Sequence, residues 1–339
     1  MISGQVVPLA PPFPSNRNPA LAPSVSVCIV NWNCRDILRK CLFSLLEQEQ
    51  GISFEVIVVD NASTDGAADM VEREFPQVHL IRNRRNIGFS HACNQAARIA
   101  EGQYFFFLNN DTEVGPHSLG KLAEYADAHP DARLIGPRLL GTDGEPQISY
   151  RRKPTIAAML NQLRVVRWTR LFRTAYREYR RDSFQASRTG PVEILLGAAV
   201  FLSRETFDAV GGWDESYRFG LEDFDLSTEV GKLGEVIYLS DVEVLHHGRM
   251  SSRGNVGFAT ANVTVGYARY FRKHGRSAAG LFAYKCLVTL DAPVQLLFKG
   301  VETLIRRGMG RKAKAAQSGR AALGIWHFMS RELIRFWRA

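Results

Sequence analysis

The sequence has few cysteines, and they form no pattern typical of a disulfide-stabilised fold or a metal site. Its 339 residues contain five cysteines, an odd number, without a Cys-x-x-Cys pair or a Cys/His metal spacing. These features argue against a disulfide framework and predict reduced, buried thiols in a cytosolic chain. The length is sufficient for one large α/β domain with an appendage.

Long apolar runs without charged residues are also absent. The longest run, from about residue 278 to 298, contains Lys285, Asp291 and Pro293. A spanning helix needs about 20 predominantly apolar residues, so we expect no membrane-spanning helix in this region. Residues 1–24 are rich in Pro, Asn and Ala and lack a basic stretch followed by an apolar one. This composition predicts a disordered leader and not a signal peptide.

Acidic residues are scarce toward the carboxyl end. Residues 266–339 contain 15 Lys and Arg against 3 Asp and Glu, whereas the whole chain has a net charge of +9. Bulky apolar residues such as Phe298, Trp326 and Trp337 lie among the basic ones, which predicts amphipathic helices on an anionic membrane surface. Ordinary packing helices with solvated basic faces are the alternative. No nucleic-acid recognition motif accompanies the charge, so we expect no nucleic-acid partner.

Short apolar segments alternate with amphipathic ones in the first third of the chain. The predicted strands cover residues 25–30, 56–60, 78–81 and 104–108, and the predicted helices cover about 36–48, a segment that ends at 74, and 90–100. Runs of four to eight apolar residues are typical of strands that are buried on both faces. Their order predicts a doubly wound, Rossmann-like nucleotide-binding sheet of the α/β class.

Acidic and amide residues follow three of these strands. The first strand ends in Asn31-Trp-Asn33, the second in Asp60-Asn61, and the strand at 104–108 in Asn109-Asn110-Asp111. Ligands of open α/β sheets bind beyond the carboxyl ends of the strands. One sheet edge therefore carries carboxylate and amide groups, which suits a sugar nucleotide and the cation that neutralises its diphosphate.

Several motifs in a fixed order resemble the catalytic domain of glycosyltransferase family 2, which has the GT-A fold, and within it the bacterial rhamnosyltransferase-like branch. The matching stretches are residues 27–33 (VCIVNWN), 58–66 (VVDNASTDG), 86–94 (NIGFSHACN), 108–112 (LNNDT), 197–198 (GA), 211–215 (GGWDE), 222–226 (EDFDL) and 246–252 (HHGRMSS). The resemblance spans about residues 25–252. It implies a disordered leader at 1–24, a GT-A catalytic domain at 25–265 with a basic insert at 150–190, and a basic helical region at 266–339.

The resemblance implies donor-side roles for residues at the predicted sheet edge. Asp60 is expected to accept the imide N–H of a uracil or thymine base, although an Asp in such a turn can also cap the next helix. Asp65 is expected either to cap the next helix or to contact the nucleotide. The remaining donor contacts are expected from amide side chains, namely Asn31, Asn33, Asn61, Asn94, Asn109 and Asn110.

The implied cofactor is Mg²⁺ or Mn²⁺, with Asp111 and His246 as ligands. The family's DXD motif is represented here by Asn109-Asn110-Asp111, so one carboxylate replaces two. A hard cation prefers oxygen ligands and keeps several waters. One protein carboxylate is therefore enough if an imidazole and the donor phosphates supply the other ligands. His247 lies one residue away and points oppositely if the chain is extended. Arg249 or Arg253 is a possible phosphate clamp.

The acceptor-side roles fall on residues 213–223. In the family, the Asp after Glu in the Glu222-Asp223 motif takes the proton of the acceptor hydroxyl, which implies Asp223 as general base. Glu222 is expected to hydrogen-bond acceptor hydroxyls. Trp213 is expected either to stack on a sugar ring or to pack in the core, and Asp214 is a candidate sugar contact.

The implied function is inverting, metal-dependent transfer of L-rhamnose from dTDP-L-rhamnose to a lipid-linked or polysaccharide acceptor. The enzyme is expected to be cytoplasmic and peripheral on the inner face of the plasma membrane. Alternatives are another sugar from a UDP-sugar donor (galactofuranose, N-acetylglucosamine or glucose) or a non-catalytic binder of sugar nucleotides. The arginine-rich insert at 150–190 suits an anionic diphosphate on a lipid carrier, and a solvated helical hairpin is its alternative.

Overall fold

The computed structural model describes residues 24–48, 51–180, 184–248, 256–275 and 277–339. The strands are β1 (Val25–Asn31), β2 (Phe54–Asp60), β3 (His79–Arg82), β4 (Tyr104–Asn109), β5 (Thr112–Val114), β6 (Ala132–Leu140), β7 (Tyr150–Arg151), β8 (Gly190–Pro191), β9 (Ile194–Leu195), β10 (Ala199–Ser203) and β11 (Glu235–His246). The helices are α1 (Arg35–Gln48), α2 (Ala67–Glu74), α3 (Phe89–Ile99), α4 (Ser118–Ala128), α5 (Ile156–Leu160), α6 (Arg164–Trp168), α7 (Arg173–Arg180), α8 (Arg204–Ala209), α9 (Glu222–Val230), α10 (Val256–His274), α11 (Ala278–Gly308), α12 (Lys312–His327) and α13 (Leu333–Arg338). A π-helical turn, Phe328–Glu332, joins α12 to α13.

The central sheet has the order β3-β2-β1-β4-β10-β6-β11-β5, and β8 also pairs with β11. β1, β2, β3 and β4 are parallel to one another, whereas β10 runs antiparallel to both β4 and β6. The register places Asn31 beside Asp60 and Val30 beside Asn109. The predicted doubly wound sheet is thus confirmed, and its strand ends are level. The antiparallel β10 makes the sheet mixed and carries Gly197 and Ala198, just before it, to the same edge.

Helices cover both faces of this sheet, which explains the unbroken apolar runs of its strands. Along β4, Phe106 and Leu108 pack into the core on the side of α1, and Phe105 and Phe107 pack into the core on the other side. All four are at most 1% exposed. Burying one Phe side chain stabilises a fold by about 2–3 kcal/mol. The sheet is therefore a rigid support for the polar groups at its edge.

A third core joins the basic insert to the carboxyl-terminal helices. Met159 and Tyr179 of the insert pack in one cluster with Phe224 of α9, Phe271 of α10 and Tyr284 of α11. Asp291 of α11 is buried and accepts hydrogen bonds from two backbone N–H groups at the start of α6, those of Arg164 (3.1 Å) and Val165 (3.2 Å). The insert is therefore packed onto the enzyme on one side, and its other side is exposed.

Helix α11 continues for 31 residues and passes through Pro293. It is long and apolar enough to cross a membrane, but a core helix of a soluble protein can have the same length and composition. The charged residues that argued against a span lie on its buried face, where Lys285 donates to the backbone carbonyl of Trp337 (3.1 Å) and Asp291 caps α6. The apolar residues of its opposite face remain exposed.

Candidate active site

The floor of the site is a hydrogen-bonded network of amide and carboxylate groups at the ends of β1, β2 and β4. Asn31 donates to the Asp60 carboxylate (3.0 Å) and accepts from the Asn110 amide (2.7 Å). The second Asp60 oxygen accepts the backbone N–H of Ser63 (2.9 Å). Asn31, Asp60 and Asn110 are buried, so this network fixes the strand ends relative to each other. Each Asp60 oxygen has a further lone pair, and base recognition by Asp60 stays a prediction.

The loops after β1 and β2 are connected by side-chain-to-backbone hydrogen bonds. Asn33, which has a left-handed backbone (φ 52°), accepts the backbone N–H of Thr64 (2.7 Å). Asp65 accepts the backbone N–H of Arg35 (2.8 Å) and that of Ala67 (3.1 Å). Asp65 therefore caps two helix starts, the first of the two roles expected for it.

Asn61 and Asn94 organise neighbouring loops. Asn61 accepts from Asn83 (3.0 Å) and donates to the Gly88 carbonyl (3.2 Å), and it lines the large cleft described below. Asn94 is 8% exposed, and its amide forms a pair of hydrogen bonds with the Trp213 backbone, each 2.9 Å long. Both ends of the Asn94 carboxamide thus hold the loop at residue 213, and a nucleotide contact of Asn94 stays a prediction.

Trp213 has the second of the two roles expected for it, packing in the core, and a sugar contact of Asp214 stays a prediction. Trp213 is 1% exposed and packs edge-on against Phe89 (5.6 Å) and Phe107 (5.2 Å), so it belongs to the core and offers no free ring face. Asp214 accepts from the Lys273 ammonium group on α10 (3.0 Å). The Gly-Gly-Trp-Asp motif thus anchors the loop that precedes α9.

Asp111 and His246 come together from β4 and β11. The His246 Nε2 atom lies 3.5 Å from the Asp111 carboxylate, and its Nδ1 atom lies 2.8 Å from the Gln147 carbonyl oxygen. The Gln147 amide donates to the His246 backbone carbonyl (2.9 Å), which fixes the orientation of Gln147. The carbonyl oxygen of Gln147 can accept from Nδ1–H, and this contact keeps the Nε2 atom turned toward Asp111.

The adjacent His247 has a different partner. Its Nε2 atom lies 2.6 Å from the Glu113 carboxylate, on the far side of the alternating strand. The geometry therefore favours His246 over His247 as the candidate metal ligand. Asn109 lines the same cleft, and its backbone carbonyl accepts the Thr112 hydroxyl (2.7 Å).

Glu222 and Asp223 begin α9 and face the cleft. The two residues before them, Gly220 (φ 76°) and Leu221 (φ 71°), have left-handed backbones, and for a non-glycine residue this costs about 1–2 kcal/mol. Such strain is retained where it positions functional groups. The Asp223 carboxylate accepts the backbone N–H of Gly197 (2.9 Å) and that of Phe224 (3.0 Å). A Cβ atom on Gly197 would lie 2.9 Å from the Asp223 Cβ, so this position has no space for a side chain.

The two carboxyl groups have different electrostatic surroundings. Burial, followed by the negative charge of Asp223, raises the pKa of Glu222 to about 8. Burial also raises the pKa of Asp223, but the two backbone N–H groups and the positive charge of Arg151 oppose that rise. These hydrogen bonds and the positive charge favour the anionic form of Asp223, whereas burial and the neighbouring negative charge favour the protonated form of Glu222.

A cleft of about 1780 Å³ connects these groups. Asp111, His246, Glu222 and Asp223 line one part of it. Apolar side chains from the insert and the carboxyl-terminal helices line another part, among them Met159, Leu163, Val288, Ala292 and Phe328. The candidate donor edge and an apolar groove are thus continuous. Arg249 and Arg253, the possible phosphate clamps, lie outside the described residues.

Two cleft residues, Gln147 and Arg151, have no motif that assigns them to the site. Gln147 approaches His246 from 99 residues away along the chain. Arg151 opens the basic insert and lines the cleft together with Asp223. No sequence feature could have identified Gln147 as a site residue, because only its contact with His246 shows it. For Arg151, the cluster of basic residues at 151–153 was a feature of the sequence that could have indicated a site residue.

The acidic residues on the rear of α9 have a structural explanation. Asp225 is buried and accepts from Lys273 (2.8 Å) and His274 (2.7 Å) of α10. Asp225, Glu229 and His274 are close enough to hold a metal ion, but the Lys273 ammonium group already neutralises Asp225. This ion-pair cluster connects the helix of the candidate base to the carboxyl-terminal helices.

Comparisons with known proteins agree with this geometry. The family described as Glycosyl transferase family 2 matches residues 26–188. An N-acetylglucosaminyl-diphospho-decaprenol L-rhamnosyltransferase from Mycobacterium tuberculosis is 32% identical over 236 residues, which is 65% of this chain and 75% of that relative.

Two solved structures share the fold at low sequence identity. A mannosyltransferase from Pyrobaculum calidifontis in complex with GDP-Man and Mn²⁺ has 20% identity and a TM-score of 0.50, and the match covers 97% of this chain and 88% of that one. GalNAc-T7 with UDP, GalNAc and Mn²⁺ has 17% identity and a TM-score of 0.52, with coverages of 78% and 54%. They confirm the predicted GT-A fold. The chain therefore belongs to glycosyltransferase family 2 and is an enzyme of its rhamnosyltransferase-like branch.

Proposed function

We propose that this glycosyltransferase transfers L-rhamnose from dTDP-L-rhamnose, with inversion at the anomeric carbon, to a lipid-linked glycan on the inner face of the plasma membrane. The observation that carries this proposal is the position of Asp223, whose carboxylate is held by the backbone N–H groups of Gly197 and Phe224 in one cleft with Glu222, Asp111 and His246. The relative from Mycobacterium tuberculosis, named as a decaprenol-linked L-rhamnosyltransferase, supports the choice of sugar and acceptor.

Asp111 and His246 are suited to hold a divalent cation. Their carboxylate oxygen and Nε2 atom are 3.5 Å apart, so the two side chains would be the protein ligands of one divalent cation. Gln147 holds the imidazole with its lone pair toward Asp111. A bound Mg²⁺ or Mn²⁺ would neutralise the charge that develops on the departing diphosphate. Asn109 and Asn110, on the same loop, line the cleft and are the proposed donor contacts beside this ion.

The reaction that this site supports is a direct displacement. The Asp223 carboxylate takes the proton of the acceptor hydroxyl while that oxygen forms a bond to the anomeric carbon of rhamnose. The bond from the anomeric carbon to the diphosphate oxygen breaks on the opposite face, and dTDP leaves with the bonding electron pair. Glu222, protonated at neutral pH, can donate a hydrogen bond to another acceptor oxygen. The raised pKa of Asp223 makes it a stronger base than an exposed Asp.

An exposed apolar surface next to the cleft supports attachment to a membrane surface. It consists of apolar side chains on α11 and on the insert: Phe282, Leu290, Val294, Leu297, Phe298, Val301, Leu304, Ile305, Val165, Trp168, Leu171 and Phe172. The Arg164 guanidinium lies 3.2 Å above the Phe298 ring and so connects the two parts. Soluble proteins rarely expose apolar surface of this extent, and basic residues beside it favour anionic lipids. Sedimentation with anionic vesicles tests the attachment, and protein that stays in the supernatant would contradict it.

The central experiment combines donor binding with transfer. In a thermal-shift assay with Mn²⁺ we expect dTDP-L-rhamnose to stabilise the protein more than UDP-sugars do, since a ligand at a hundred times its Kd contributes about 2.7 kcal/mol. Asp223→Asn should retain this stabilisation and lose transfer. Preference for a UDP-sugar would refute rhamnose as the donated sugar, and unchanged turnover by Asp223→Asn would refute its role as base. A protein that binds donors without any turnover would instead be a non-catalytic binder.

A further inference from the structure

We propose that Arg151 binds the acceptor's phosphate group, so that the acceptor is a glycosyl phosphate whose apolar chain lies along the groove between the insert and α11. This inference rests on the proposed function and names the acceptor-binding residue of the same site.

Arg151 is held rigidly at the wall of the cleft. It lies in β7, which pairs with β9 through Arg151 and Ile194. Its side chain passes over the Tyr179 ring, with the guanidinium carbon 5.8 Å from the ring centre. Its position is therefore fixed by backbone pairing and by aromatic packing, and both are needed for a preorganised binding residue.

The charge of Arg151 has no protein anion as a direct partner. Its Nε atom is buried and makes no hydrogen bond within the described part of the chain, and no ion pair of Arg151 occurs among the described residues. A partly buried guanidinium without a partner costs free energy, and its planar N–H groups match phosphate oxygens well. An anionic ligand in the cleft would offset that cost.

A second unpartnered polar atom lies in the same cleft. Within the residues described, the Glu222 Oε2 atom is buried and has no hydrogen-bond partner. Arg151 lies close enough to Asp223 for its charge to act on that carboxylate. The cleft therefore presents a cation on one side of the base and a carboxyl group for hydroxyls beside it. A sugar that carries a phosphate matches both groups, its phosphate with Arg151 and its hydroxyls with Glu222.

The position of Arg151 favours the acceptor over the donor as the source of that phosphate. The donor's diphosphate is expected at the edge with Asp111 and His246, whereas Arg151 lies on the insert. The insert also supplies Met159 and Leu163, and these continue with Val288 and Ala292 of α11 as an apolar wall of the cleft. This arrangement of a cation next to an apolar wall suits a ligand in which a phosphate is followed by an apolar chain.

The test compares Arg151→Gln with the matched control Arg152→Gln. Arg152 is the next residue, carries the same charge and is exposed. The full chain is assayed with saturating donor and two acceptors, N-acetylglucosamine on an alkyl diphosphate and the same sugar on an uncharged alkyl glycoside. We expect Arg151→Gln to raise the KM for the diphosphate acceptor by about tenfold to a hundredfold, the range for a hydrogen bond between charged groups. The KM for the neutral acceptor and the KM for the donor should not change, and Arg152→Gln should resemble the wild type.

Other outcomes overturn the inference. A raised KM for the donor would assign the anion to the donor diphosphate. An equal fall of kcat on both acceptors, with a shifted pH profile, would make Arg151 a positioning residue for Asp223. Unchanged kinetics would remove Arg151 from the site.

Binding without turnover separates this inference from the proposed function. Farnesyl diphosphate should stabilise the wild type and Arg152→Gln more than farnesol does, and this difference should vanish in Arg151→Gln. If no sugar donor supports transfer but this pattern holds, the phosphate site stands and the proposed reaction fails. If farnesyl diphosphate and farnesol act alike on the wild type, the phosphate site fails.

Discussion

Replacing Gly197 with Ala should lower kcat without a comparable loss of donor affinity. The added Cβ would lie 2.9 Å from the Asp223 Cβ and 3.5 Å from its Cγ and Oδ2 atoms. Carbon atoms that are not bonded rarely approach closer than about 3.4 Å, so Asp223 has to move by about 0.5 Å. A misplacement of about 1 Å at a reacting group can cost about a hundredfold in rate. We therefore expect a fall in kcat of about tenfold.

The control is Gly190→Ala, because a Cβ at Gly190 has no heavy atom within 4 Å. The assays are steady-state transfer, donor thermal shift and urea unfolding of both variants. An extra methyl group in a packed site destabilises by about 1–3 kcal/mol, which the unfolding curve measures separately. If Gly197→Ala keeps the kcat of Gly190→Ala, the rate does not depend on the position of Asp223, and its assignment as base would be refuted.

Two further predictions concern the proton of the carboxylate pair and the candidate metal ligands. Because the folded pKa of Glu222 is about 8, above its ordinary value of 4.5, the folded state binds a proton that the unfolded state releases, and stability should fall as pH rises from 4.5 to 8. Urea unfolding at the two ends of this range should show a smaller loss for Glu222→Gln than for the wild type, and equal losses would exclude the buried proton. His246→Ala should weaken Mn²⁺ binding by at least about tenfold, whereas His247→Ala should leave it near the wild-type value. Isothermal titration with Mn²⁺ in the presence of dTDP measures both, and a larger effect at His247 would reverse the assignment.

The sequence predicted the sheet with few errors, because the interactions that form its strands are local. An apolar run such as Tyr104–Asn109 is recognisable as a strand buried on both faces, and a polar residue directly after a strand must lie at its end. The same reasoning places Asp60, Asp111 and the start of α9. The predicted bounds of the first helices differ from those observed by one residue.

The sequence did not predict which distant segments a side chain meets. Asn94 and Trp213 are 119 residues apart in sequence, and the Asn94 carboxamide pairs with the backbone N–H and carbonyl of Trp213. Pro293 was expected to help interrupt the apolar run, but α11 continues through it, since packing of one face stabilises the helix.

Pattern in the sequence determined the fold class and the edge at which the donor is expected, and the resemblance to glycosyltransferase family 2 identified the pair of carboxyl groups at the start of α9. Only the tertiary structure decided which histidine lies beside Asp111, which arginine lines the cleft with Asp223, and that the insert and the carboxyl-terminal helices share a core. The reason is physical. Periodicity and capping are properties of neighbouring residues, whereas a binding site depends on contacts between segments that are far apart in the chain and meet only after the sheet has formed.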